Sequence, residues 1–149
     1  MKSFLIVLSL ALLSFAPDHK WNSNFSTAQQ NAQSEHKFIL LNFSGSDWCG
    51  PCIRMKKEIF DSPEFQEFAI KELVLVNADF PRQKKNKLSK EQQVQNDQLA
   101  DKYNQAGVFP NTILLNEKGE VLKSWQGFQN QGTTAFISEI KALTDAPKK

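Results

Sequence analysis

Cysteine is almost missing from this 149-residue chain: there are two, and histidine also numbers two. That scarcity excludes several classes at once. The dense disulfide framework of small secreted scaffolds needs more cysteines. A structural zinc site needs about four ligands, and beyond the two thiols only His19 and His36 remain, neither at ligand spacing. The sequence contains no metal-binding cluster, phosphate-binding glycine loop or internal repeat. An excess of one charge is lacking as well: 18 basic side chains face 16 acidic ones, a formal net charge of +2, which gives no case for a nucleic-acid partner. A membrane-spanning length of apolar residues is also wanting, because the stretch Phe4 to Leu13 is too short for a comfortable span.

That stretch reads instead as a secretory signal. Lys2 precedes it, and Ser14-Phe15-Ala16 places small residues where a signal peptidase requires them. Residues 1–16 are therefore expected to be a signal peptide and 17–149 a single domain, which makes the protein periplasmic or secreted. Pro17 directly after that cut disfavours cleavage there, so retention as an N-terminal membrane anchor is the alternative. Neither cysteine lies near this segment, which excludes lipid attachment through cysteine.

The two cysteines stand in Trp48-Cys49-Gly50-Pro51-Cys52, between an apolar strand-like run and a helix-like segment. With two residues between them, one helical turn holds both sulfurs close enough to bond. The first lies at the helix start, where unpaired N–H groups and the helix dipole favour a thiolate. Cys49 is thus the expected nucleophile and Cys52, one turn inward, the resolving thiol. Pro51 suits the first helical position because its missing N–H would have had no intrahelical partner, and Gly50 lets the backbone turn tightly before it. A purely structural disulfide is the competing reading, but a bridge across so short a loop removes little chain entropy. Ile53 follows Cys52, so the haem-attachment pattern is absent. The residues therefore favour thiol-disulfide exchange.

Periodicity outlines the rest. Phe25, Ala28 and Ala32 recur at helical spacing between Ser23 and about Gln33, and Phe38-Ile39-Leu40-Leu41 is a continuous apolar run typical of a strand buried on both faces. The helix from Pro51 presents Cys52, Met55 and Ile59 on one face, flanked by Ile53 and Phe60, with the Lys56 stem packed and its ammonium reaching outward. A helix restart at Ser62-Pro63-Glu64 precedes a second buried strand, Leu73 to Ala78. The basic run Arg82 to Lys90 reads as a solvated loop, with an acidic partner as the alternative. Ser89 and Gln92 form a capping box for a helix reaching about Asn104, exposed over Glu91 to Gln98 and docked by Leu99, Ala100 and Tyr103. Strands Thr112 to Leu115 and Val121 to Trp125 join through the turn Asn116 to Gly119, and a last helix spans about Thr133 to Leu143. The tail Asp145 to Lys149 is expected to be disordered. This order of elements implies a mixed sheet covered on both faces.

With WCGPC opening a helix after a buried strand, then a strand, a helix, a proline-led hairpin and a closing helix, most of the exported part resembles the thioredoxin superfamily. Gly45-Ser46-Asp47 before Trp48-Cys49, and the long basic link, are most similar to its exported members. The resemblance implies a three-layer α/β/α fold with an extra N-terminal helix. In the implied sheet, the Phe38 strand lies between the Leu73 strand and the hairpin. It also implies no cofactor beyond the Cys49–Cys52 disulfide, and a cis bond between Phe109 and Pro110 that presents the backbone of Phe109 to an extended substrate segment. Trp48, Gly50, Pro51, Phe109 and Pro110 are accordingly the expected motif and substrate-binding residues. Three positions depart from the family. Asn42 stands where thioredoxins carry a buried Asp that accepts the proton of the second Cys, leaving water, Asp47 or Asp79 for that task. Lys57 replaces the helix-kinking proline, which implies a straighter helix. Asn111 follows Pro110 where Thr is common.

Three functions follow as expectations. The first is reduction of disulfides in exported proteins, resupplied by a membrane electron donor. The second is a thiol oxidase or isomerase of the same fold. The third is a non-enzymatic binding or chaperone-like module whose thiols are incidental.

Overall fold

The computed structural model describes residues 20–145. The expected signal peptide, and all of the expected disordered tail but Asp145, lie outside the described residues. No helix among those residues is long and apolar enough to cross a membrane.

Four strands form one mixed sheet in the order β2-β1-β3-β4. β1 (Phe38–Ser44) runs parallel to β2 (Leu73–Asp79) and antiparallel to β3 (Asn111–Leu115), which pairs antiparallel with β4 (Val121–Gln126). β1 is therefore central, as the resemblance implied. Side chains alternate between the faces of a strand, so Ile39, Leu41 and Phe43 join Val74, Val76, Ile113 and Leu115 under α1 (Phe25–Glu35) and α4 (Lys90–Tyr103). Leu40, Leu75 and Leu114 face the other way, toward α2 (Gly50–Met55), α3 (Pro63–Glu72) and α5 (Gly132–Thr144). Fully buried Phe65 and Phe136 fill this second layer, and Trp125 packs edge-on against Phe136 with centroids 5.1 Å apart.

Local chemistry sets the helix ends. Asn24 caps α1 by accepting from Thr27 N–H at 2.8 Å, and Ser62 caps α3 by accepting from Phe65 N–H at 3.2 Å. Ser89 caps α4 through Gln92 N–H, but the reciprocal half of the expected capping box does not form. The Gln92 side-chain Nε2 donates to Ser23 O and Asn96 Oδ1, which ties the start of α4 to the segment before α1. Asn96, expected to be exposed, is buried and donates to Asp79 O at 2.8 Å, tying α4 to the end of β2.

Two further differences matter. Asn22, just before α1, pairs with β2: its N–H donates to Leu75 O and its carbonyl accepts from Asn77 N–H, covering an edge that would otherwise be open. The helix after the cysteines is not the straight α-helix that loss of the family's proline implied. It passes at Lys56–Phe60 into a π-turn, closed by Asp61 N–H donating to Lys56 O at 2.8 Å. The wider turn lets the consecutive side chains Ile59 and Phe60 both be buried. Lys56 emerges exposed and pairs with Asp61 at 2.6 Å rather than packing its stem deeply.

Candidate active site

The C-terminal ends of β1 and β2 and the start of α2 converge on the two cysteines. Cys49 and Cys52 are disulfide-bonded, with Cα atoms 5.2 Å apart. Cys49 is the N-cap of α2 and its Sγ accepts from Cys52 N–H at 3.2 Å, while Pro51 occupies the first turn. In this oxidised state each cysteine is 5% exposed, so burial does not separate their roles; position along the helix does. Gly50, Pro51 and Ile53 are exposed around them, and Ile53 is an unusually open apolar side chain at 48%.

The face of the sheet beneath α2 changes character along its length. Toward one end it is Leu40, Leu75 and Leu114, and toward the cysteines it becomes a polar row in register across three strands: Thr112, Asn42 and Asn77. Thr112 donates to Asn42 Oδ1 at 3.0 Å, and Asn42 Nδ2 donates to Asn77 Oδ1 at 3.0 Å. The Ser44 hydroxyl lies 3.1 Å from both Asn77 Oδ1 and Asp79 Oδ1, its single proton serving one at a time. A cavity of about 280 Å³ opens between this row and α2, with Asn42, Ser44, Ser46, Lys56 and Asn77 as its polar lining and Trp21, Cys52, Ile53 and Phe60 as its apolar lining. The two aspartates that the sequence left unranked separate here. Asp79 holds Ser44 and Ser46, both on the wall shared with Cys52. Asp47 instead accepts from Arg82 N–H at 2.9 Å, Gln83 N–H at 3.0 Å and Asn86 Nδ2 at 2.9 Å. These bonds, led by that from Arg82, hold its carboxyl below the usual carboxylate range.

On the other side of the motif, Trp48 Nε1–H donates to Phe80 O at 2.7 Å, and the Trp48 and Phe80 rings each lie 5.5 Å from that of Phe109. The Phe109–Pro110 bond is cis, as the resemblance implied. Asn104 holds the approach to it, donating to Val108 O at 2.9 Å and accepting from Val108 N–H and from Asn111 Nδ2. Asn111, the third departure from the family, also accepts from Ser124. Gly45 was not singled out by spacing, yet a Cβ there would stand 2.3 Å from the Trp48 ring, so the indole lies where only glycine leaves room. Phe80, Arg82 and Asn104 were likewise missed as neighbours of the site, since nothing in a linear pattern reports which loops meet. Among the described residues no group of three or more His, Cys, Asp or Glu could hold a metal ion.

A disulfide closed across two residues at a helix start, above the C-terminal end of a parallel strand pair, places the protein among the thiol-disulfide oxidoreductases built on the thioredoxin fold. Comparison then gives the family: the chain belongs to the thioredoxin-like domain family, which it matches over residues 25–140. It is 36% identical over 127 residues to the disulfide bond reductase DsbH of Chlamydia pneumoniae, covering 85% of this chain and 74% of that protein. A solved DsbH oxidoreductase is similar with a TM-score of 0.78 at 30% identity, over 97% of this chain and 96% of that one. A thioredoxin from Thermus thermophilus, at 15% identity and a TM-score of 0.62 over 83% of this chain and 85% of its own, shares the fold.

Proposed function

We propose that this oxidoreductase works in the reducing direction, on disulfides of exported proteins. The observation that carries the reading is Gly50-Pro51 between the cysteines. A residue there that stabilised the Cys49 thiolate would favour the dithiol and make the disulfide oxidising. Pro51 has neither charge nor N–H to do so. The similarity to a protein named as a disulfide bond reductase supports the same direction.

In this reading the Cys49 thiolate attacks one sulfur of a substrate disulfide, and the other sulfur leaves as a thiolate that takes a proton from solvent. Cys52 then gives up its proton toward the polar row on the sheet side of the cavity, where Ser44 leads to Asp79, and attacks Cys49 Sγ. The substrate leaves as a dithiol, having gained two electrons and two protons, and the Cys49–Cys52 disulfide is restored. Phe109 and Pro110 present backbone to the substrate segment, with Trp48, Gly50 and Pro51 forming the surface around the sulfurs. Oxidised protein requires a reductant, for which a membrane electron donor in a periplasmic or otherwise exported compartment is proposed, with residues 1–16 as signal or anchor.

The test is trapping. Cys52→Ser should accumulate a mixed disulfide with a model substrate such as insulin, and Cys49→Ser should form none and lose reductase activity with its fold intact by circular dichroism. A parent protein that reduces no disulfide, with clients still held by Cys49→Ser, would favour a binding module instead. Trapping through Cys52 would reverse the assigned roles.

A further inference from the structure

Arg82, Lys84, Lys85 and Lys87 crowd into six residues, a run that in sequence reads as a solvated face. Its backbone is nonetheless fixed to the active-site loop. Asp47, two residues before Cys49, accepts from the N–H groups of Arg82 and Gln83 and from the Asn86 side chain, while Gln83 Nε2 donates back to Asp47 O at 3.2 Å. A short 3-10 turn, Lys84–Asn86, completes the loop. The Arg82 guanidinium lies 3.7 Å above the centroid of Trp48, a stacked position that leaves its N–H edge open to a carboxylate. None of the four cations makes an ion pair among the described residues, and the oxygens of Asp47 are already turned to backbone and amide donors. Against this lip lies a cleft of about 410 Å³, bounded by Trp48, Phe80, Arg82, Gly107 and Phe109.

We propose that the lip and cleft read the residues flanking a substrate's disulfide, and that the preferred segments carry aspartate or glutamate beside the reacting cysteine. The aromatic walls accept the apolar part of such a segment, and the unpaired cations accept its carboxylate. An extended segment advances about 3.3 Å per residue, which brings a carboxylate one or two residues from the attacked sulfur within reach of Trp48 and the guanidinium on it. The inference rests on the reductase reading and adds the substrate class to it.

The test uses the pre-reduced protein in single turnover with three disulfide peptides, identical except for Glu, Gln or Lys flanking the cysteine. Rate constants should fall in the order Glu, Gln, Lys, spanning about tenfold at low ionic strength and converging at high salt, as exposed charges are screened. Arg82→Gln, and separately the exposed triple change Lys84→Gln, Lys85→Gln and Lys87→Gln, should each bring the Glu and Gln rates closer together. Equal rates for the three peptides in the parent protein, or an undiminished preference in both variants, would overturn acid selection while leaving the reductase reading in place. If the reduced protein cleaves none of the peptides, the reductase reading fails and this inference falls with it.

Discussion

At the scale of single residues, the informative position is Asn42 beneath the disulfide, whose oxygen accepts from Thr112 and whose amide donates to Asn77. Asn42→Asp would set a carboxylate oxygen against Asn77 Oδ1, costing about 1–3 kcal/mol for the lost donor, and burial would raise its pKa above the ordinary value near 4. A raised carboxyl pKa means stability is fully present below the unfolded value and is lost as pH rises through the folded one. The variant should therefore show a larger deficit against the parent at pH 8 than at pH 5 in urea titrations. The rate at which Cys52 resolves the mixed disulfide should also gain a second pH dependence, from the new carboxyl, beside the one set by the Cys52 thiol itself. A variant equal to the parent at both pH values would mean that residue 42 is not sealed from water. The two cysteines were legible in the sequence because their chemistry is local, and Trp48 and the cis Phe109–Pro110 bond were legible through the resemblance. Asn77 and Ser44 were not, because their importance comes from register across strands, and the steric reason for Gly45 comes from the placement of one indole.

Among the elements, the strands and helices were legible to within a few residues wherever apolar period and caps agreed, as for Ser62 with Phe65 and Phe68. The π-turn at Lys56–Phe60 was not, since helical periodicity assumes 3.6 residues per turn and an inserted residue moves Phe60 from the flank to the core. The N-terminal helix was correctly placed by Ala28 and Ala32, both fully buried against the sheet. Small side chains at those two positions are what let α1 approach. Ala32→Leu should therefore cost about 1–3 kcal/mol through overpacking, lowering the urea midpoint with little change in slope. An unchanged midpoint would show that α1 is docked loosely enough to move aside.

Over the whole molecule, one loop couples the surface to the site. The lowered pKa of Asp47, set first by Arg82 N–H and then by Asn86, means its contribution is present above the unfolded carboxylate value near 4 and disappears as pH falls through the lower folded one. Asp47→Asn should thus be less stable than the parent at pH 6, and the difference should vanish in acid where both are neutral. A constant difference down to pH 2 would contradict the charged clamp. Direction of electron flow is the central claim, and the reduction potential of the Cys49–Cys52 pair tests it most directly. Equilibration with glutathione should place it near the thioredoxin end of the range, about −270 mV, because Pro51 offers the Cys49 thiolate no stabilising partner. A value as oxidising as about −150 mV, toward the strong-oxidant end near −120 mV, together with failure to reduce insulin, would contradict the account and make the protein a thiol oxidase.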